Sequence, residues 1–266
     1  MNWPWKLPRD LPWSSPYPLP RDTSDALLAE GRCENFSLLL DRYLAFGDYR
    51  GQLQLLRELT DRKALVPDYQ GQRELIAAYD ARWQHTALEL GAITFSARPH
   101  WRVIIGKGTN DLLELGITLH PVFGFPIVPA TALKGVSRAY ARWVVEAPAE
   151  ELDRLLGTAE EQGPARGDLL FLEGAPADPP VIERDVINPA FGAYYRDSKT
   201  PPASYLSPSP IFFLALGARS RYRFGVASLS GDREAAQRGV HWLQGALTEL
   251  GVGAKTAAGY GYWELE

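Results

Sequence analysis

Apolar residues recur at helical spacing through the first third of the chain, behind an extended arm. Thr23 or Ser24 stands where a first helix would be capped, and Leu27, Leu28, Leu38, Leu39, Tyr43 and Leu44 supply its apolar faces. Gly47 and Gly51 break that run. Leu53, Leu55, Leu56 and Leu59 then mark a second helix, and Leu75, Ile76, Tyr79 and Trp83 a third. Residues 23–85 therefore read as a helical subregion of two to four helices. The arm before it, residues 1–22, carries six prolines in its first twenty positions, interleaved with Trp3, Trp5, Trp13 and Tyr17. Proline fixes φ and removes a donor, so the arm is extended. Its aromatics lie over the protein's own surface or dock on a neighbouring subunit.

Near Thr86 the period changes from helical to alternating, and residues 86–266 read as a second region. Strands are expected at 87–95 and 101–105, with a turn at Gly106-Lys-Gly108. A proline-punctuated segment then runs into a helix starting at Ala130 or Thr131, whose Leu133, Val136, Tyr140 and Trp143 can face a core. On that helix Lys134, Arg138 and Arg142 fall at i, i+4 and i+8, a single basic stripe. A cation in the first turn opposes the helix dipole, which points to an anion bound by Lys134 and the helix N-terminus together; a solvated basic face is the alternative.

A short helix at 149–156 and strands at 168–172 and 181–187 follow. Residues 188–210 form a long irregular loop, in which Tyr194, Tyr195, Tyr205, Arg196 and Lys199 could stack on bases, contact phosphates or anchor the loop. Residues 211–215 and 221–227 read as paired strands joined by a turn. Arg219, Arg221 and Arg223 alternate there, so one sheet face should be wet and positive, with Phe224 and Val226 opposite. A helix over 232–250 leads into Gly251-Val-Gly-Ala-Lys-Thr-Ala-Ala-Gly-Tyr-Gly261 and a last short strand.

That loop reads in two ways, as an anion-binding nest presenting Lys255 and Thr256 or as a plain helix-to-strand turn. It is not a nucleotide P-loop. Ala254 occupies the required second glycine, and the loop follows a helix rather than opening one.

Composition narrows the function classes. With 45% hydrophobic and 23% charged residues, the chain is of ordinary globular type. No apolar run approaches the roughly 18 residues of a membrane span, and the N-terminus lacks a secretory signal pattern. A single cysteine, Cys33, excludes an internal disulfide and a cysteine metal cluster; the cytoplasm is the expected compartment. The net charge of −4 is uneven. Six basic residues (Arg98, Arg102, Lys107, Lys134, Arg138, Arg142) face two acidic ones between positions 98 and 142, whereas eleven acidic residues face three basic ones between 146 and 185. A basic face on an acidic protein still attracts phosphate locally, because salt screens distant charges. No carboxylate cluster has metal-ligand spacing; Asp111 and Asp185 are lone candidates. Of the four histidines, His120 is the one suited to acid–base work, while His85, His100 and His241 read as surface or core residues.

The segment Ile127-Val-Pro-Ala-Thr-Ala-Leu-Lys-Gly-Val-Ser-Arg138, paired with the C-terminal glycine loop, resembles the RAMP proteins of CRISPR systems. Gly116-Ile-Thr-Leu-His-Pro121, Asp185-Val-Ile-Asn-Pro189, Pro210-Ile-Phe-Phe213 and Leu250–Gly261 look most like the sixth subunit of type III-B (Cmr) effector complexes. These motifs span about the last two thirds of the chain. The resemblance implies an α+β fold with a ferredoxin-like, RRM-related core carrying insertions. It implies a structural RNA-binding subunit near the 3′ end of the guide RNA, with the glycine loop packed beside the first core helix. Lys134, Arg138, Arg142, Gly251, Gly253, Lys255, Thr256, Gly259, Arg221 and Arg223 are then the expected RNA-binding residues. The expected partners are guide RNA, target RNA as a further candidate, and other Cmr RAMP subunits, with no membrane and no cofactor. Thr131 and Ala132 depart from the family pattern, where serines are common. Some RAMP proteins cut precursor RNA with a histidine and no metal, so a metal-independent endoribonuclease using His120 is the second reading, and a protein-only assembly adaptor the third.

Overall fold

Among the described residues the chain builds a two-stranded β-ribbon and two larger antiparallel sheets, between which it passes at two bends. The computed structural model describes residues 20–30, 35–41, 46–49, 52–55, 66–106, 117–158, 163, 165–188 and 210–266. In chain order the elements are α1 (Arg21–Glu30), α2 (Phe36–Asp41), β1 (Phe46–Tyr49), β2 (Gln52–Leu55), α3 (Arg73–Glu89), β3 (Ile93–Pro99), β4 (Arg102–Val103), α4 (Ala130–Trp143), α5 (Ala149–Leu156), β5 (Leu169–Phe171), β6 (Ala175–Pro176), β7 (Ile182–Ile187), β8 (Ile211–Gly217), β9 (Tyr222–Ser228), α6 (Arg233–Gly245) and β10 (Trp263–Leu265). The arm at 1–19, the tyrosine-bearing loop at 189–209, Lys107, Gly108 and Asp111 lie outside the described residues.

The main sheet has the order β10-β3-β9-β5, with every neighbouring pair antiparallel and β6 continuing along β9. Helix α4 connects β3 to β5, and α6 connects β9 to β10. The path is thus β-α-β-β-α-β, with its first and third strands central. Successive side chains on a strand point to opposite faces, and both faces of β9 are used. Phe224 and Val226 are fully buried. A Cβ placed on Gly239 of α6 would press on Leu169 and Val226, which shows how closely that helix lies on the sheet. On the other face Arg223 meets Asp80 of α3, while Trp83 of α3 donates its indole N–H to the Glu173 carbonyl at 3.1 Å. Trp242, Leu133, Leu243, Leu247 and Trp263 fill the core beneath α4 and α6.

A second sheet has the order β4-β8-β7. Strand β4 follows β3 after two residues, and β9 follows β8 after four, so the chain passes twice from one sheet to the other. Buried Ser220 supports the second crossing, its hydroxyl accepting from the Val181 N–H at 2.9 Å. Residues 211–215 and 221–227 are both strands, but they do not pair with each other. Each finds its partners in a different sheet.

Other expectations shift too. The second helix is absent at Leu53 and Leu55, which lie in β2, paired antiparallel to β1. Gln52-Leu-Gln-Leu55 alternates with period two, and that strand signal outweighs the leucine content; Leu56 and Leu59 lie outside the described residues. Helix α3 continues to Glu89 and ends at Gly91 (φ 63°), so the strand expected from Ala87 begins at Ile93. Trp143, expected to face the core, is 71% exposed because α4 ends there.

The face carrying Arg221 and Arg223 is neither open nor uncompensated. Arg223 Nη2 donates to Asp80 Oδ2 at 3.1 Å, Arg221 Nε donates to Glu266 Oε2 at 2.7 Å, and Arg219 lies in the turn before β9. A guanidinium beneath a packed helix needs a carboxylate, and Asp80, 8% exposed on the apolar face of α3, provides it. Removing one partner leaves a part-buried charge. Asp80→Ala should therefore cost about 2 kcal/mol, below the fully buried range because Arg223 keeps some solvent. Urea unfolding should show this as a lower midpoint with unchanged slope; an unchanged midpoint would show that the pair is not structural.

Candidate nucleic-acid interface

The basic stripe of α4 begins behind Pro129, whose carbonyl accepts the Ala132 and Leu133 N–H groups at 3.0 and 3.1 Å. The helix starts at Ala130, so Lys134 opens the second turn rather than sitting in the first. The three stripe residues have different surroundings. Lys134 is half-buried and Arg142 exposed, and among the described residues neither has a carboxylate partner. Arg138 is committed: it donates to the Gly157 carbonyl and stands 3.9 Å from Asp153, fastening the end of α5 to α4.

The glycine loop is built against the bend between the sheets. Helix α6 passes into a π turn over Ala246–Leu250, and the Gly251 N–H returns to the Ala246 carbonyl at 2.9 Å. Such turns alter a helix end locally and are frequent at functional sites. Beyond it, Val252 N–H donates to Gly261 O, Ala254 N–H to Ile104 O and Gly261 N–H to Arg102 O, each at 2.8 Å. A Cβ at Gly253 would overlap the Ile104 carbonyl, so only glycine permits this approach. Gly251 and Gly259 also have positive φ, at 74° and 89°. Lys255 is exposed in the left-handed conformation, φ 61°, which is uncommon for a side-chain-bearing residue. It has no carboxylate partner among the described residues, and Thr256 beside it is half-buried.

The loop and α4 are joined by a ladder. Thr118 N–H donates to Ile105 O at 2.7 Å and Ile127 N–H to Thr118 O at 3.1 Å, so Ile104–Ile105 takes the glycine loop beside the strand-like segment that feeds α4. At its other end α4 touches α6: Tyr140 lies where a Cβ on Gly245 would overlap its ring, and its hydroxyl donates to Glu249 at 2.9 Å.

Sequence reasoning missed the group that secures the loop. Arg102 donates to Glu183 at 2.7 Å and to Asp185 at 2.8 Å, and the Tyr260 hydroxyl donates to the same Asp185 oxygen at 2.6 Å. Trp101, 43% exposed, lies with its ring 4.8 Å from that of Tyr260. Asp185, a lone metal candidate by sequence, is thus fully engaged. Burial pushes its carboxyl up, but bonds from Tyr260 and the Val186 N–H and the Arg102 charge hold it below its usual value; burial and Asp185 push Tyr260 up to about 12. The alternation placing Glu183 and Asp185 on one face of β7 was the available signal.

His120 is similarly occupied. Its Nδ1 accepts from the Val122 and Phe123 N–H groups at 3.2 and 3.3 Å, so its proton resides on Nε2. The ring packs 4.7 Å from Phe123 and 5.6 Å from Tyr79. Burial lowers its pKa; Glu173 opposes this and Arg82 adds to it. His85 and His241 are exposed, and exposed His100 pairs with Glu264 at 2.6 Å.

No protein-family model matches the chain. It is 27% identical to the CRISPR system Cmr subunit Cmr6 of Pyrococcus furiosus over 71% of this chain and 72% of that protein. It is 25% identical to Cmr6 of Saccharolobus solfataricus, over 67% of this chain but only 60% of that longer relative's length. This chain is similar to Cmr6 proteins. Its fold also resembles a chain in the cryo-electron-microscopy structure of the type III-B Cmr-beta complex bound to cognate target RNA, with a TM-score of 0.60 and 21% identity over 79% of this chain and 69% of that one. At that identity the likeness speaks for the fold, a mixed arrangement of helices and antiparallel sheet.

The Asp185 knot gives a pH test. A carboxyl held below its usual value stabilises the fold above the unfolded pKa, near 3.8, and that stability is lost as pH falls through the folded value. Asp185→Asn should lower stability at pH 7 and flatten its fall below about pH 4, as read by urea midpoints across pH. A variant whose acid curve parallels the wild type would show that the knot contributes nothing.

Proposed function

We propose that the chain is a non-catalytic, RNA-binding subunit of a type III-B CRISPR effector complex, acting in the cytoplasm. It contacts the backbone of the guide RNA towards its 3′ end, with target RNA and other Cmr subunits as further partners. Similarity to two Cmr6 proteins supports membership of such a complex. The β-α-β-β-α-β path with strand order β10-β3-β9-β5 supports a ferredoxin-like, RRM-related core, a fold recurrent in RNA recognition.

The observation that carries RNA binding is Lys255. An exposed cation with no carboxylate partner among the described residues is held in a strained backbone conformation at the tip of a loop whose root is tied down by five hydrogen bonds, three to the backbone and two through Asp185. Strain of this kind persists where the surroundings impose it, and it concentrates at binding and catalytic sites. Lys134, in the second turn of the helix that this ladder leads into, is a second cation with no carboxylate partner among the described residues. Phosphates are recognised by such charges without regard to base, which suits a subunit that tracks a backbone.

The surroundings of His120 favour a structural role over that of a general base, since Nδ1 is taken by two backbone donors and the ring is wedged among aromatics. His120→Ala should therefore leave no cleavage activity to lose; RNA cutting by the purified chain that vanishes in this variant would favour the endoribonuclease reading.

Each phosphate contact on single-stranded nucleic acid contributes about 0.7 to the salt slope. Replacing Lys134 and Lys255 together with alanine should weaken RNA binding similarly for all sequences and reduce the slope of log affinity against log salt by about 1.4. Fluorescence anisotropy with labelled single-stranded RNA measures both. Unchanged RNA affinity with lost subunit association would instead make the chain a protein-only adaptor.

A further inference from the structure

The C-terminal end of α4 has a character that RNA binding does not use. Trp143, Val144 and Val145 are consecutive and 71%, 45% and 41% exposed. Scattered exposed apolar residues are normal, but a contiguous run headed by tryptophan marks an interaction site. The next residue, Glu146, is held at φ 55°, one of only two positive-φ residues other than glycine among those described. Its left-handed turn stops the helix and leaves the three apolar side chains outside.

Beside this knob is a cleft of about 510 Å³ between α4 and α5. Ala147, Ala149 and Leu152 give it apolar walls, and Arg138, Arg142 and Asp153 its charge. Two cations and one carboxylate leave a single positive charge, carried by Arg142, which has no carboxylate partner among the described residues.

We infer that this knob and cleft form a protein-docking surface, which takes a segment of a partner subunit presenting an apolar side chain beside a carboxylate. Tryptophan and arginine are the residues that dominate binding energy in protein interfaces, above all next to a pocket. One carboxylate, held by Arg142, matches the net charge of the cleft. A nucleic acid fits poorly, because its phosphates would approach the negative end of the α4 dipole and the side chains of Glu146, Glu150 and Asp153. A second copy of the chain fits less well than a segment, because a convex knob with a narrow cleft offers little of the roughly 800 Å² per partner that stable pairs bury. The inference rests on reading the chain as a subunit of an assembly.

The test uses the full chain and each of the other protein subunits of the complex, purified singly, with association measured by isothermal titration calorimetry. Trp143→Ala with Val145→Ser should weaken binding to one subunit at least tenfold while leaving affinity for single-stranded RNA unchanged. Arg142→Glu should weaken that same association, and circular dichroism confirms that each variant is folded. If the wild-type chain binds a subunit and the variants bind it equally well, the docking surface is overturned while the assembly reading stands. If the wild-type chain binds none of them, both fall. Loss of RNA affinity in the Trp143 and Val145 variant, or its conversion of a sedimenting dimer to a monomer, would replace the protein segment with RNA or with a second copy.

Discussion

Arg102 is held from two directions, and the arrangement of the rest follows from that. Its carbonyl accepts the Gly261 N–H, and its guanidinium reaches Glu183 and Asp185 on β7. One residue at the point where the chain leaves the main sheet thus ties the C-terminal loop to the second sheet. Tyr260 closes the circuit through Asp185. A guanidinium is suited to this because its planar fork addresses two carboxylates at fixed geometry, which the flexible point charge of a lysine does not. The group is part-buried, where each bond is stronger than in water and an orphaned partner more costly. Rigidity at the root is what allows strain at the tip: Lys255 can be kept left-handed only because the chain on both sides of it is pinned.

The same economy explains how an acidic chain can offer a positive site. Cations near the sheets are largely spent on carboxylates: Arg102 on Glu183 and Asp185, Arg223 on Asp80, Arg221 and Arg98 on Glu266. These pairs cancel locally and contribute little field beyond a Debye length. What a distant phosphate meets is the residue left over, Lys134 and Lys255 among them. Counting charges along the sequence overstated the basic surface, and the net charge understated it.

Sequence pattern disclosed the long elements and missed what tertiary partners decide. Helices α4, α5 and α6 start within a residue or two of expectation because their apolar periodicity is strong and their N-terminal ends are marked by Pro129, Pro148 and Asp232, although α6 gives way to a π turn at Ala246, short of the expected 250. The sheet partners of β8 and β9 could not be read, because adjacency along the chain suggests a hairpin and only the buried bend at Ser220 separates the two strands. The glycine loop was legible as a loop, and its positive-φ positions follow from its composition. The Arg102, Asp185 and Tyr260 group joins residues from three separated segments, a distance no local pattern spans. Asp80 was the overlooked clue for Arg223, an acidic residue among Ile76, Tyr79 and Trp83 on a face that otherwise excludes charge.

Helix α4 shows how one element can serve two kinds of contact. Its three basic residues share a stripe by spacing, yet Arg138 in the middle is withdrawn by the Gly157 carbonyl and Asp153. The stripe is therefore interrupted. Lys134 is left at the end where the helix dipole favours anions, and Arg142 at the end where it opposes them. A polyanion gains from the first position and is penalised at the second, whereas a lone carboxylate beside apolar side chains can still use Arg142. Binding at the two ends is carried by different physics, salt-sensitive at one and dominated by apolar burial at the other. Ionic strength should consequently separate contacts that the sequence presents as one continuous face.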